Sequence, residues 1–511
     1  MHNSTLPYHK SINGAVTLIL LAVVLTVVFL TTPFTIIDDA YISFRYAHNL
    51  AHSGELVFNP GERVEGITNL LWTLILGTSA AIFPVSMESF VLFLSLSLLA
   101  FVSLRLWQLG PLLGTSPFAG TLAALLLILN PDFILTSTNG LEVPLFSALL
   151  VEIIYRYTRN QLALAFICAG LLFMTRPEGA ALGFLLIGLV CMEQRSLRKG
   201  AIGLVLVGGF VLAVTAFRLL YYGTPLPNSV IAKSFALQFL PGLRGPILSF
   251  MGSFAVANPC LVILFLGGLL SLRSLCPPQE KASFILLFCV GGVIASFIVM
   301  IRNGGDWMPY HRLVLQYGVL YAVILIVLLR KTPFRFSIAF VLIAWLFLQT
   351  AYTIATHSAN PLSIRYRNYK SGFYADTTRR LSTVLEDSDT ISAEGLGYIS
   401  YYLLRNRFHD PAGLTDPHLA RYGKPAFTFG KVDEAYTVGT VRPSVMVWHY
   451  AGHLKGLEQN LLDNYETFCA ADCDNWKADV VMIRKDRLDD LAPAFADLQK
   501  IKIETERIRA E

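Results

Sequence analysis

Long stretches without a single charged residue constrain this chain more than anything else in it. No charge falls between Lys10 and Asp38, and Gly14–Leu30 inside that stretch is apolar and helix-competent. A bilayer core about 30 Å thick is crossed by about 20 apolar residues in a helix. Further uncharged stretches run 66–86, 89–104, 106–131, 160–175, 179–192, 200–217, 245–272, 282–301, 313–329 and 336–364, and 133–155 is apolar but for Glu142 and Glu152. A cleaved signal peptide is the rival reading of the first stretch, but the residues after it are Thr-Thr-Pro-Phe, not a small-residue cleavage site. The first stretch is therefore read as a span.

Only 15% of the 511 residues are charged, where a soluble domain carries about a quarter. The charges are also unevenly placed: from about residue 360 onward the chain reads like an ordinary soluble protein. The expected organisation is a membrane part over 1–359, with a first outer loop at about 31–66, and an extracytoplasmic domain over 360–511. Strand-like runs (Thr390–Ala393, Asp479–Ile483) alternate there with helix-like ones (Gly397–Leu404, Asp486–Lys500), which predicts a small α/β fold. A net charge of +5 with no long Lys/Arg run gives no sign of a nucleic-acid partner.

Short loops rich in Lys/Arg stay in the cytoplasm. Arg195, Arg198 and Lys199, then Arg273 with Lys281, then Arg330, Lys331 and Arg335 fit that side. The first outer loop, Tyr221–Gly245, Asn303–Arg312 and the tail then face out. Twelve stretches break parity with an inside amino terminus and an outside tail, so one of those between 66 and 155 does not cross, and about eleven transmembrane helices are expected. Cys469 and Cys473, in FCAADC, could close a short-loop disulfide if the tail lies outside the cytoplasm.

Four polar constellations fall on the outer side. Asp38-Asp39 follows the first span directly, and acids at that depth are costly unless used. On a helix they point about 100° apart, so one can face a cavity while its neighbour binds structure. Such a carboxylate could act as a general base or bind a divalent cation; the bland alternative is a pair of acids marking the water interface. Asn303–Arg312 combines Asp306 with His311 and Arg312, groups that could hold a phosphate, or simply form an interfacial loop. Tyr221–Lys233 has two prolines that stiffen it and ends on Lys233, a snorkelling lysine on the bland reading. Arg176-Pro177-Glu178-Gly179 is a tight turn whose charges could simply pair. Jointly, acids and bases on one side of a nearly charge-free bilayer suit a polyprenyl-phosphate ligand, whose tail stays in lipid while its phosphate reaches the surface.

DDAYISFRYAHNLAHSGELVFNPGERVEGITNLLW, YYGTPLPNSVIAKS, RNGGDWMPYHR, TRPEG and DPAGLTDPHLAR together resemble the GT-C superfamily glycosyltransferases grouped with the terminal β-(1→2)-arabinofuranosyltransferases. The resemblance runs from the first helix to about residue 421. It implies a multi-pass α-helical GT-C fold with a periplasmic carboxy-terminal domain, a polyprenyl-phosphate sugar donor, inversion at the anomeric carbon and a glycan or glycolipid acceptor. It also implies a place in the bacterial inner membrane with the active site facing the periplasm. The catalytic carboxylate maps onto Asp38 or Asp39, with Asp38 the slightly favoured base as the first acid after the helix. Arg45, Lys233, His311 and Arg312 are candidates for the donor phosphate, with Arg176 and Asn228 beside them. Glu65, Glu142, Glu178 and Asp306 are candidates for sugar hydroxyls or a cation, and Asp416 for the acceptor side. No cofactor is implied beyond a possible divalent cation at Asp38 or Asp39.

Two rivals stay open: a transferase with a protein acceptor, and a transporter or flippase of lipid-linked sugars. The transporter predicts broken helices with charges near the bilayer midplane, and the sequence pattern gives no sign of them.

Overall fold

The computed structural model describes residues 26, 36–233, 240–274, 280–303, 309–330, 372–427, 430–433, 435–448, 463–471 and 479–501. The expected spans at 14–30 and 336–364 lie outside these residues, as do Asp306 and Cys473. The described helices open with Asp38–Ser53 (α1) and Leu70–Ile82 (α2). Met87–Leu112 (α3), Leu197–Tyr222 (α9) and Lys281–Arg302 (α13) are long and apolar enough to cross a membrane. Between them lie Pro117–Ile128 (α4), Pro131–Ser137 (α5), Val143–Thr158 (α6), Leu162–Thr175 (α7), Gly179–Gln194 (α8), Asn228–Ala232 (α10), Leu240–Ala257 (α11) and Pro259–Ser274 (α12). Arg312–Leu315 (α14) and Gly318–Leu328 (α15) follow.

Two of these junctions are sharply bent, α4 with α5 by 71° and Ile247–Ala257 with Pro259–Leu272 by 97°. By length and composition the described residues hold three spans, or up to five if each bent pair is one span. The bends have a local cause. Pro131 and Pro259 each open a new helix, a position where the missing N–H costs nothing, and each follows an asparagine. The expected division at Arg105 is absent, because α3 runs straight through it. Arg105 stays in the helix because its Nε lies 2.6 Å from a Glu152 carboxylate oxygen on α6. A paired charge does not end an apolar helix.

Contacts divide the chain into two compact units. The first holds Met1–Thr35, Glu88–Val214 and Phe239–Asn360. Its centre is α15, buried on all sides, as a helix apolar all round must be; α4, α12 and α13 pack against it.

The second unit holds Ile36–Met87, Thr215–Gln238 and Pro361–Glu511. It gathers the first outer loop and the Tyr221–Lys233 segment with the tail, whereas the sequence suggests one boundary near 360. Its helices after residue 360 are Phe373–Leu381 (α16), Leu396–Tyr402 (α17), Pro417–Tyr422 (α18) and Leu488–Leu491 (α19). The strands are Thr390–Ala393 (β1), Arg407–His409 (β2), Lys424–Phe427 (β3), Gly430–Val432 (β4), Val445–Trp448 (β5), Tyr465–Ala471 (β6), Asp479–Arg484 (β7) and Gln499–Ile501 (β8). Six form one mixed sheet in the order β2-β1-β5-β7-β6-β8, and β3-β4 is a separate hairpin. β1 pairs parallel with β2 and β5, and the other ladders are antiparallel. β5 and the four central residues of β7 are buried, as expected of strands covered on both faces. The expected helix over 486–500 forms only over its first part, as consecutive 3-10 and α turns from Lys485 to Phe495. The short α19 gives way to a 3-10 turn at Pro493, and the chain continues into β8. Cys469 on β6 is disulfide-bonded.

Candidate functional site

In the second unit, α1 begins at the acid pair. Ile37 enters in extended conformation and Asp38 and Asp39 fill the first turn, where the positive end of the helix dipole favours carboxylates. Gly54 ends the helix in the left-handed region, φ 73°, donating its N–H to Leu50. Asp38 is 6% exposed. Its Oδ2 accepts the N–H of Gly397 at 3.0 Å and its Oδ1 that of Tyr398 at 2.7 Å. Those amides belong to the first turn of α17, so Asp38 ties the outer loop to the tail. The approach requires glycine: a Cβ on residue 397 would overlap the Asp38 carbonyl oxygen. Burial pushes the Asp38 carboxyl up to about 7 against the pull of the two amides, and Asp39 and Glu394 add to the rise. Asp39 is half-buried.

Several other expected ligands are structural fasteners of the same unit. Arg45 is fully buried. Its Nε donates to the Phe58 carbonyl at 2.7 Å, its Nη2 to that of Asn406 at 2.8 Å and its Nη1 to that of Ser400. A guanidinium used up on three carbonyls is not a phosphate ligand. Glu65 holds Arg218 in a buried bidentate pair, 2.8 and 3.0 Å. The Asn228 amide nitrogen contacts the carbonyls of Gly413, Leu414 and Asp416 at 2.9, 3.0 and 3.2 Å. Asp416 caps α18 through the Leu419 N–H at 2.9 Å and accepts the Tyr436 hydroxyl at 3.2 Å. Lys233 is exposed at the end of α10.

In the first unit, Arg176 lies between Glu142 and Glu178 at 2.5 and 2.6 Å. Gln316 donates to the same Glu178 oxygen at 3.2 Å. With two carboxylates already on it, Arg176 has no charge left for a donor phosphate, and the turn reads as a paired network. His311 stands apart from that network. Its Nδ1 is 2.9 Å from Oδ2 of Asp132, and Phe250 and Phe254 flank the ring edge-on at 5.1 and 5.5 Å. Arg312 follows directly and opens α14.

Sequence reasoning missed Asp132, whose signal was the Asn130-Pro131-Asp132 break in an apolar run. It also missed the tyrosines of α17: Tyr41 lies 5.3, 5.6 and 6.1 Å from the rings of Tyr398, Tyr401 and Tyr402. Their spacing at i, i+3 and i+4 places them on one helical face. Among the described residues no group of three or more His, Cys, Asp or Glu is placed to hold a metal ion, and both Asp38 oxygens face amides.

Comparison with known proteins bears on this arrangement. Residues 363–492 match a domain of unknown function (DUF8728). A terminal β-(1→2)-arabinofuranosyltransferase of Mycobacterium tuberculosis is 30% identical over 310 residues, covering 53% of this chain and 49% of that protein. One from Corynebacterium glutamicum is 27% identical over 346 residues, covering 56% and 47%. The chain spans about half the length of the curated relatives it matches. Among solved structures, the apo oligosaccharyltransferase of Archaeoglobus fulgidus covers 92% of this chain and 75% of its own at a TM-score of 0.54 and 12% identity. ArnT from Cupriavidus metallidurans, bound to undecaprenyl phosphate, covers 92% and 97% at 0.51 and 13%. The chain thus has the GT-C type of fold, and its curated homologues are terminal β-(1→2)-arabinofuranosyltransferases.

Proposed function

We propose that the chain is an inverting membrane glycosyltransferase with Asp39 as its general base. On this reading it moves a sugar, arabinofuranose by its homologues' names, from a polyprenyl-phosphate donor to a cell-envelope glycan on the periplasmic face of the bacterial inner membrane. The acceptor hydroxyl oxygen attacks the anomeric carbon, the bond to the phosphate oxygen breaks with its electron pair, and Asp39 takes the hydroxyl proton. Lys233 in the unit that holds Asp39, and His311 with Arg312 in the other unit, are each candidates to bind a phosphate. Tyr398 and Tyr402 offer aromatic faces on the acceptor side, and the domain over 360–511 carries them.

The observation that carries the choice of base is the division of labour within one helical turn. Asp38 holds two backbone amides and is buried, while Asp39, about 100° round the helix, is half-buried. Asp39→Asn is expected to abolish sugar transfer while the protein melts as wild type does. Full transfer by Asp39→Asn, measured with a polyprenyl-phosphate sugar and an envelope glycan acceptor, removes Asp39 from the mechanism.

A transporter of lipid-linked sugars keeps a specific observation in its favour. Contrary to the sequence reading, two helix pairs are broken, by 71° and 97°, with Asp132 and His311 beside the breaks. Release of free polyprenyl phosphate on incubation with acceptor supports transfer, and movement of intact donor across the bilayer without release supports transport.

A further inference from the structure

Two helix breaks of the first unit meet at one polar centre. The bend between α4 and α5 falls at Asn130 and that between α11 and α12 at Asn258. Asn130 Nδ2 donates to Asn258 Oδ1 at 2.7 Å, and Asn258 Nδ2 donates to Asp132 Oδ2 at 3.2 Å. The same carboxylate oxygen faces His311 Nδ1 at 2.9 Å. On the far side of the ring, Nε2 lies 3.0 Å from Ser253 Oγ. The Ser253 hydroxyl donates its own proton to the Phe250 carbonyl at 2.9 Å.

Asp132 Oδ2 therefore meets the ring at Nδ1 and Ser253 Oγ meets it at Nε2, so the imidazole is held from both sides. The backbone is strained at the same place. Tyr310 and His311 are consecutive non-glycine residues in the left-handed region, φ 70° and 53°. Each costs about 1–2 kcal/mol, and strain of this kind persists where the surroundings hold it and gathers at functional sites.

We propose that Asp132 is a positioning residue that holds the His311 ring through Nδ1 next to Arg312, so that Nε2 can exchange the Ser253 hydroxyl for the phosphate of a polyprenyl-phosphate ligand. Asn258 orients Asp132, and Asn130 in turn orients Asn258, so both helix breaks serve one imidazole. The proposal rests on the lipid-phosphate part of the reading above and not on the transfer step.

The test uses the full-length protein in nanodiscs with undecaprenyl phosphate as the probe. Asp132→Asn and His311→Ala are each expected to weaken binding roughly tenfold, the effect of one lost charge-assisted contact. The double variant is expected to bind no more weakly than His311→Ala alone, because Asp132 acts only through the ring. Asn258→Ala keeps the carboxylate but frees it, and is expected to lose about threefold by the same arithmetic. Gly209→Ala, where an added Cβ meets nothing within 4 Å, is expected to bind as wild type does. Wild-type affinity in both Asp132→Asn and Asn258→Ala overturns the proposal, as do additive losses in the double variant or absence of binding by the wild type. Binding that follows the expected pattern in a protein that transfers no sugar leaves this assignment standing and sinks the transferase reading.

Discussion

Gly397→Ala probes the joint between the outer loop and the tail with one methyl group. The added Cβ would overlap the Asp38 carbonyl oxygen, a backbone atom that no rotamer change can move. The first turn of α17 must then retreat by about an ångström or more for ordinary van der Waals separation. That retreat stretches the bonds at 2.7 and 3.0 Å that bring Tyr398 and Gly397 N–H to the Asp38 carboxylate. Overpacking costs about 1–3 kcal/mol, and each hydrogen bond to a charged group contributes about 1.5–3 kcal/mol. Alanine's better helix propensity returns about 1 kcal/mol, so the clash wins with a net cost of about 3 kcal/mol or more. At roughly 2–4 °C per kcal/mol for a body of this size, the midpoint should fall by about 6–12 °C or more. Trp72 on α2 and Trp448 on β5 are buried in the same unit, so intrinsic fluorescence during a thermal ramp in detergent reports it. Gly209→Ala, where a Cβ meets nothing within 4 Å, is the matched control and should melt at or slightly above the wild-type midpoint. A Gly397→Ala midpoint equal to that control refutes the close approach and the anchoring role of Asp38 with it.

Glu65→Gln leaves Arg218 buried without its counter-charge and should cost about 3–5 kcal/mol; Glu65→Gln with Arg218→Met should recover most of that, and a double variant no more stable than the single one contradicts the pairing. Burial lowers the titration of His409 below its ordinary value near 6.5, so its contribution to stability is present above pH 6.5 and is lost as pH falls. His409→Asn should therefore flatten the decline in thermal midpoint between pH 7.5 and 5. Asp410, raised to about 6 by burial, acts in the opposite direction and is common to both proteins, so parallel curves would exclude the histidine.

The sequence made the acid pair visible because charge beside a long apolar run stands out, and it made β1 and β7 visible because short β-branched runs bounded by polar residues do. Pairing was not visible. Arg45 reads as a spare cation in a loop, yet its partners Ser400 and Asn406 lie more than 350 residues away. Arg176 likewise reads as a ligand until Glu142 is seen beside it. Spacing along the chain carries no information about such closures, so an expectation built from residue type counts every charge as available. Asp132 escaped for the reverse reason. One acid after Asn-Pro looks like an ordinary helix cap until the second break, at Asn258, is folded onto it.

The same closures change what the motifs mean. The opening block, the Tyr221–Lys233 segment and the Gly413–Asp416 segment meet in one unit through Arg45, Glu65, Asn228 and Asp38, while Tyr222 donates to the Leu56 carbonyl at 2.7 Å. These residues assemble a frame. The Asn59 amide accepts the Phe408 N–H at 3.0 Å and donates to the Phe408 carbonyl at 2.8 Å, as a neighbouring strand would beside β2. A frame of this kind has a mechanistic consequence. The direction of the Asp39 carboxylate depends on where the first turn of α1 sits, and that turn is fixed from the tail by the Gly397 and Tyr398 amides. The tail therefore sets the aim of the proposed base even though it supplies no acid to the reaction.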